Sequence, residues 1–401
     1  MIKFTKQSKT LHIILASVFF GVSLGIKASS IVFLIPLIIT IIIKSYPETL
    51  HSRKPVLVIK QVFKALLKFT KLALISIILA TATFAIVAPY VFIDFQAFRS
   101  NLEYEGGLAA GKFPVFYTRQ FINTLPVLFQ ATKILPYALG PCLLLFSVLG
   151  FIVTLFNITK KPKIELFIIT ISFLSLFIPN AFLFAKWTRF IAPTFPFFAI
   201  FACLLLQELE KKMRFISYVF GSILVVATAI WTMVFFSIYT NPDVRITASK
   251  WLEDYAKPGS SFLVEGGNMI DLPLHGNSPK TSLDFYNLEN DPLIRERVVD
   301  ALYASDYFLV QSRRVFYNHQ RLPDLYPKTV KFYNTLFNGN LGFEKIKEFH
   351  SYPKLSFFDL YIEFPDEGAE ETWSVFDHPV IRVFEKKVQL TKGDYARFLE
   401  N

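Results

Sequence analysis

The residue with the clearest chemical potential is Lys27, an ammonium group inside an otherwise apolar stretch from Leu11 to Ile43. A cation in such surroundings is costly and usually has an anionic partner or a water-filled cavity. Its chemistry is electrostatic: it can neutralise a phosphate, or it can snorkel to the headgroups at a hairpin tip. Arg189 follows Lys186 and Trp187 at a junction between two apolar runs. Its planar fork suits a phosphate or pyrophosphate, although basic residues beside Trp are also common interface anchors. Asp94, Glu103, Glu105 and Arg119 share one polar stretch. The carboxylates there offer a general base or metal ligands, against the commoner fate of solvated loop carboxylates. Glu265, followed by Gly266 and Gly267, ends an apolar strand, the position where ligand groups collect in α/β sheets. Asp377, His378 and Pro379 make no triad or metal spacing with another residue and read as a turn. No catalytic residue, metal site or cofactor is assigned, and a divalent metal is left open.

These residues are embedded in a chain of 401 residues that is 53% hydrophobic and only 18% charged, against roughly a quarter charged in soluble domains. The apolar excess lies before residue 240, in long runs almost without charge, as a bilayer core of about 30 Å requires. The net charge of +11 does not indicate nucleic acid, because Lys and Arg gather in short segments between apolar runs, which is how positive-inside topology is written. Cys142 and Cys203 both fall in apolar runs and read as small hydrophobes. The first apolar run leads into further spans without a small-residue cleavage site, so no cleavable signal peptide is expected.

Leu11 to Ile43 would make a single helix of about 50 Å, far longer than a bilayer, and is therefore expected to form two short helices. Lys3, Lys6 and Lys9 precede it and Lys44, Arg53 and Lys54 follow, which places both ends in the cytoplasm and Lys27 at the outer tip. His51 to Lys71 mixes basic and apolar residues and reads as an interfacial amphipathic helix. Spans are then expected over Leu72–Ile93, Ile134–Ile158, Ile164–Ala185, Phe190–Leu206 and Phe215–Tyr239, with a long outer loop at 94–133. The expectation is thus a polytopic α-helical membrane protein of about seven spans. Residues 1–240 form its membrane domain and 241–401 an extracytoplasmic α/β domain.

In that second domain Val244–Tyr255 has helical periodicity, and Pro258-Gly259 marks a turn before a strand at Ser261–Glu265. Further helices are expected at Arg295–Ala304 and Lys328–Phe337, and strands at Tyr307–Gln311 and Val380–Glu385.

The order of these features resembles the polyisoprenyl-phosphate-sugar-dependent glycosyltransferases of the GT-C fold, the protein mannosyltransferase and aminoarabinose transferase relatives. Gly21-Val-Ser-Leu-Gly25-Ile-Lys27-Ala-Ser29 resembles their Gly-rich hairpin ending in lysine. Pro89-Tyr90 and Tyr117-Thr-Arg119-Gln120-Phe121 resemble the long outer loop, and Lys186-Trp-Thr-Arg189-Phe-Ile-Ala-Pro193 resembles the segment opening a late span. Arg245, Ala248 and Trp251 match an Arg-x-x-Ala-x-x-Trp helix, and Asp377-His378-Pro379 an Asp-His-Pro strand. The resemblance implies transfer of a sugar from a lipid-phosphate donor to an acceptor outside the cytoplasm, with Lys27 and Arg189 on the lipid phosphate. The class carries its catalytic acid in a first outer loop that has no counterpart here. The chain is accordingly expected to be a C-terminal portion, completed by a preceding segment or a separate N-terminal half. The expected partners are the polyisoprenyl-phosphate-linked sugar and membrane lipids. The alternative is a non-catalytic scaffold or assembly subunit with a partner-binding outer domain. A transporter is disfavoured, because no interrupted spans repeat in two halves.

Overall fold

The structure is a computed structural model that describes residues 1–7, 9–46, 55–113, 115–160, 162–266, 271–274, 279–357 and 360–400. His51, Arg53, Lys54 and Gly267 lie outside the described residues. The chain divides into two compact units. The first comprises Met1–Phe113, Leu125–Gln130 and Leu139–Val225, and the second Pro114–Thr124, Ala131–Ala138 and Val226–Asn401. The sheet-bearing unit therefore includes two pieces of the 94–133 region and its continuation, and begins at Val226, where the sequence reading divides the chain at 240.

Among the described residues six helical stretches are long and apolar enough to cross a membrane: Ala28–Ser45, Val58–Val87, Pro141–Lys160, Ile164–Phe182, Thr188–Lys212 and Arg214–Tyr255. The last comprises the long apolar helix Arg214–Phe236 and, after a break, the separate helix Val244–Tyr255. Thr10–Ile26 is apolar but shorter. The stretch from Leu11 to Ile43 does break into two helices, at Lys27, whose extended backbone (φ −152°, ψ 118°) stops the first helix. A 3-10 turn over Ala28–Phe33 then leads into Leu34–Ser45.

Two boundaries differ from expectation. The interfacial helix and the span expected after it are one helix, Pro55–Val87, of 33 residues. No Gly or Pro follows Pro55 within it to break the hydrogen-bond ladder. The span expected at Ile134 begins instead at Pro141. Gly140 adopts φ +74°, a left-handed conformation that ends the short helix Leu135–Leu139 and lets proline start the next.

Helix Pro141–Lys160 packs on Phe195–Lys212 through small residues. The Ser147 hydroxyl donates to the Phe198 carbonyl at 2.8 Å. A Cβ added at Gly150 would lie 1.9 Å from the Phe201 carbonyl oxygen, so the two backbones meet at a point only glycine permits. Gly150→Val is expected to cost about 3 kcal/mol, the upper end for overpacking, read as a lowered thermal midpoint of the detergent-solubilised chain. Gly150→Ala should lower it less, and an unchanged midpoint for the valine variant would show that these helices part freely.

The second unit is built on a five-stranded sheet of order β2-β1-β3-β7-β4. Its strands are β1 (Phe262–Gly266), β2 (Lys280–Asp284), β3 (Tyr307–Val310), β4 (Phe343–Phe349) and β7 (Ile381–Lys386); β5 (Lys354–Phe357) and β6 (Leu360–Glu363) form a separate pair. β1 pairs in parallel with β2 and β3, and β7 is antiparallel to both β3 and β4. β3 is apolar at every position because both sheet faces are covered. Phe308 and Val310 join a core with Phe332 and Tyr333 of helix Pro327–Phe337, whereas Tyr307 and Leu309 join one with Val244, Ala248 and Leu252 of helix Val244–Tyr255. The i, i+4, i+8 stripe of that last helix is the periodicity read from the sequence.

Candidate functional site

In the first unit, the chain reversal at Lys27 and the short helix Thr188–Ile191 bring two expected site residues together. Lys27 Nζ donates to the Arg189 carbonyl at 3.0 Å and lies 5.2 Å from the Phe190 ring centroid. The Arg189 guanidinium carbon stands 4.6 Å from the Trp187 ring and 5.6 Å from the Phe190 ring. Among the described residues neither cation has a carboxylate partner, and the two positive charges act on each other. Lys186, nearby in sequence, is buried and donates to the Phe184 carbonyl at 3.1 Å. The junction therefore holds a pair of cations over aromatic rings, without a carboxylate partner among the described residues.

The loop carboxylates are not assembled into a site. Asp94 caps helix Phe95–Ala109, its Oδ1 accepting from the Ala97 amide at 3.0 Å, an N-cap contact of the usual kind. Glu103 accepts from Arg99 one turn away at 2.7 Å, and both side chains are mostly exposed. Glu105 is exposed.

In the second unit, Arg119 belongs to a 3-10 turn, Phe116–Phe121, and is engaged in holding that segment. Its guanidinium donates to the Tyr286 carbonyl at 2.8 Å and meets His319 Nε2 at 2.7 Å, while lying 4.9 Å from the Tyr326 ring. Burial and the Arg119 charge push the His319 pKa down to about 3, so a neutral imidazole accepts the bond. Gln120 extends the tie: its amide nitrogen donates to Glu370 at 2.9 Å and its carbonyl oxygen accepts from the Glu371 amide at 3.0 Å. Glu371 is itself buried in an ion pair with Arg314 and accepts from Asn318 at 2.8 Å. Arg119, half-buried, thus has a set of partners within the protein.

Glu265 occupies the carboxyl end of β1 as the sequence indicates, yet it is fully buried. Tyr333 donates to its Oε1 at 2.9 Å, and Oε2 has no hydrogen-bond partner among the described residues. Burial raises its pKa to about 8, against the opposing Tyr333 bond and Arg382 charge. The carboxyl is therefore mostly protonated at neutral pH and sealed in the core.

His378 is the residue whose surroundings the sequence conceals. Its Nδ1 meets Asp377 at 2.9 Å and its Nε2 meets Asp366 at 2.8 Å. Burial opposes protonation, but the bonds and charges of the two carboxylates prevail and raise its pKa. Asp366 lies twelve positions upstream, across the short helix Glu371–Ser374, a spacing that matches no motif. Arg245 of the resembling helix reaches the same segment, donating to the carbonyls of Val375 and Phe376 at 3.2 and 2.9 Å. Among the described residues no group of His, Cys, Asp and Glu is arranged to hold a metal ion. Compared with known protein families, curated proteins and solved structures, the chain matches none.

Proposed function

We propose that the chain is the membrane-embedded portion of a glycosyltransferase that moves a sugar from a lipid-phosphate-linked donor to an extracytoplasmic acceptor. The observation that carries this reading is the juxtaposition of Lys27 and Arg189, remote in sequence, over Phe190 without a carboxylate partner among the described residues. Such a pair suits the phosphate of a departing lipid carrier, on which negative charge develops as the glycosidic bond breaks. Thr10–Ile26 serves in this reading as a seventh span, the N-terminus is cytoplasmic, and the sheet-bearing unit lies outside. The acceptor's general base is not assigned in this chain. The resemblance of the Gly21–Ser29 and Lys186–Pro193 segments to the GT-C class supports the same assignment.

Lys27→Met keeps most of the apolar stem and removes the charge. It is expected to lower transfer from a radiolabelled lipid-linked sugar, in membranes containing the complete system, by about ten- to a hundredfold, the worth of one charged hydrogen bond. Insertion and expression should be unchanged, and Lys27→Arg should retain part of the activity because the charge persists. Undiminished transfer by the methionine variant would reduce Lys27 to a snorkelling anchor and favour the scaffold reading.

A further inference from the structure

A cavity of about 260 Å³ within the sheet-bearing unit is lined by the aromatic residues Tyr137, Trp231, Phe235, Phe364 and Trp373, and by Asp366. Glu363 also lines it, and among the described residues no Lys or Arg does. The rings brace one another: Trp231 meets Phe364 edge-on at 5.6 Å, and Phe235 lies 5.0 Å from Trp373. Both indole N–H groups are already engaged, that of Trp231 with the Tyr137 carbonyl at 2.9 Å and that of Trp373 with Asp366 Oδ2 at 3.0 Å. The walls therefore offer π-faces and no spare indole donor.

Asp366 is 3% exposed. Its Oδ2 accepts from Trp373 and meets His378, whereas its Oδ1 has no hydrogen-bond partner among the described residues. A buried carboxylate oxygen without a donor is costly and calls for a partner. Aromatic faces around it attract positive charge through their quadrupoles, and the second carboxylate, Glu363, adds to that field, although His378 already faces Asp366 Oδ2 and His350 faces Glu363. A neutral hydroxyl would satisfy the oxygen but would gain little from the rings and the charge.

We propose that this cavity binds the ammonium group of a small primary amine, either free or as a lipid headgroup. The charge and its alkyl stem lie against the aromatic walls, and the N–H donates to Asp366 Oδ1 once the carboxylate turns that oxygen, closed off in this structure, toward the cavity. This site is independent of the glycosyltransferase reading, since it uses neither Lys27 nor Arg189.

The full chain, purified in an uncharged maltoside detergent, is titrated with n-butylammonium chloride, n-butanol and sodium chloride, followed by calorimetry and tryptophan fluorescence. Saturable binding is expected for n-butylammonium alone. Asp366→Asn should weaken it about tenfold or more, the loss of a charge-assisted bond. Because Asp366 also holds Trp373 and His378, Phe235→Leu is the second variant; it leaves the carboxylate in place and should weaken binding about threefold to tenfold through the lost cation–π contact. Lysophosphatidylethanolamine and lysophosphatidylglycerol are then added as competitors. Displacement by the first only identifies a lipid headgroup as the source, and displacement by neither, with n-butylammonium binding intact, identifies a free amine. Equal responses to n-butylammonium and n-butanol, absence of saturable binding, or unaltered binding in Phe235→Leu would overturn the proposal and leave a water-satisfied aspartate beside an apolar pocket.

Discussion

Arg314→Met is expected to destabilise the sheet-bearing unit by about 3–5 kcal/mol, the range for removing one partner of a buried ion pair. Arg314 and Glu371 are 4% and 2% exposed, so neither charge has solvent to fall back on. Glu371 already has a raised pKa because of burial, which the Arg314 charge and the Asn318 bond oppose. Without Arg314 the carboxyl should take up a proton in the folded chain, and the damage should grow as pH rises. The midpoint of thermal unfolding, followed by the fluorescence of the full chain in detergent, should fall by on the order of 10 °C. The double variant Arg314→Met/Glu371→Gln should recover much of this loss, because no uncompensated charge then remains buried. A double variant as unstable as the single one would show that packing, not charge burial, sets the cost.

The contribution of Glu265 to the stability of the same unit is expected to decline as pH rises from about 5 to 9. Glu265 has an unfolded value near that of an ordinary carboxyl and a folded value of about 8, so the native chain binds the extra proton between these limits. Its contribution is fully present below the unfolded value and is lost as pH rises through about 8. His378 acts in the same direction, since its raised value makes a contribution that is present below its unfolded value and lost as pH climbs above it. For Glu265 the loss across this window is on the order of 4 kcal/mol. Glu265→Gln keeps the shape and the acceptor for Tyr333 but removes the titration. Relative to the parent chain, the unfolding midpoints of the glutamine variant measured from about pH 5 to 9 should therefore gain with rising pH. The slope both share comes from His378 and Glu371 and, in the opposite sense below about pH 6.5, from His319, whose lowered value makes stability rise with pH there. Identical slopes would mean that Glu265 ionises like an exposed carboxyl.

The elements most legible in the sequence are those whose burial is written in a local period. Val244–Tyr255 shows its apolar stripe, and β3 shows an unbroken apolar run because helices cover both faces of the sheet. β2 is hidden for the opposite reason: Lys280, Thr281 and Ser282 are exposed and only Leu283 is buried, so this edge strand has no hydrophobic signature and owes its place to pairing with β1. β4 alternates weakly and is similarly recruited by β7. Composition divides helix Pro55–Val87, because its basic and apolar halves differ, yet backbone hydrogen bonding is indifferent to that change and runs through it.

The sequence alone determined the apolar runs, the break at Lys27 and the strand-end position of Glu265, because each follows from transfer free energy or backbone sterics acting within a few residues. Tertiary structure alone decided which charged groups meet. Lys27 joins Arg189, Arg119 is spent on Tyr286 and His319, and Asp366 reaches His378. Coulombic and hydrogen-bond energies depend on distance in space and on local burial. Nothing in residue type or spacing encodes either across such separations, so the same glutamate that looks like a ligand at a strand end becomes a sealed, protonated core residue once Tyr333 closes over it.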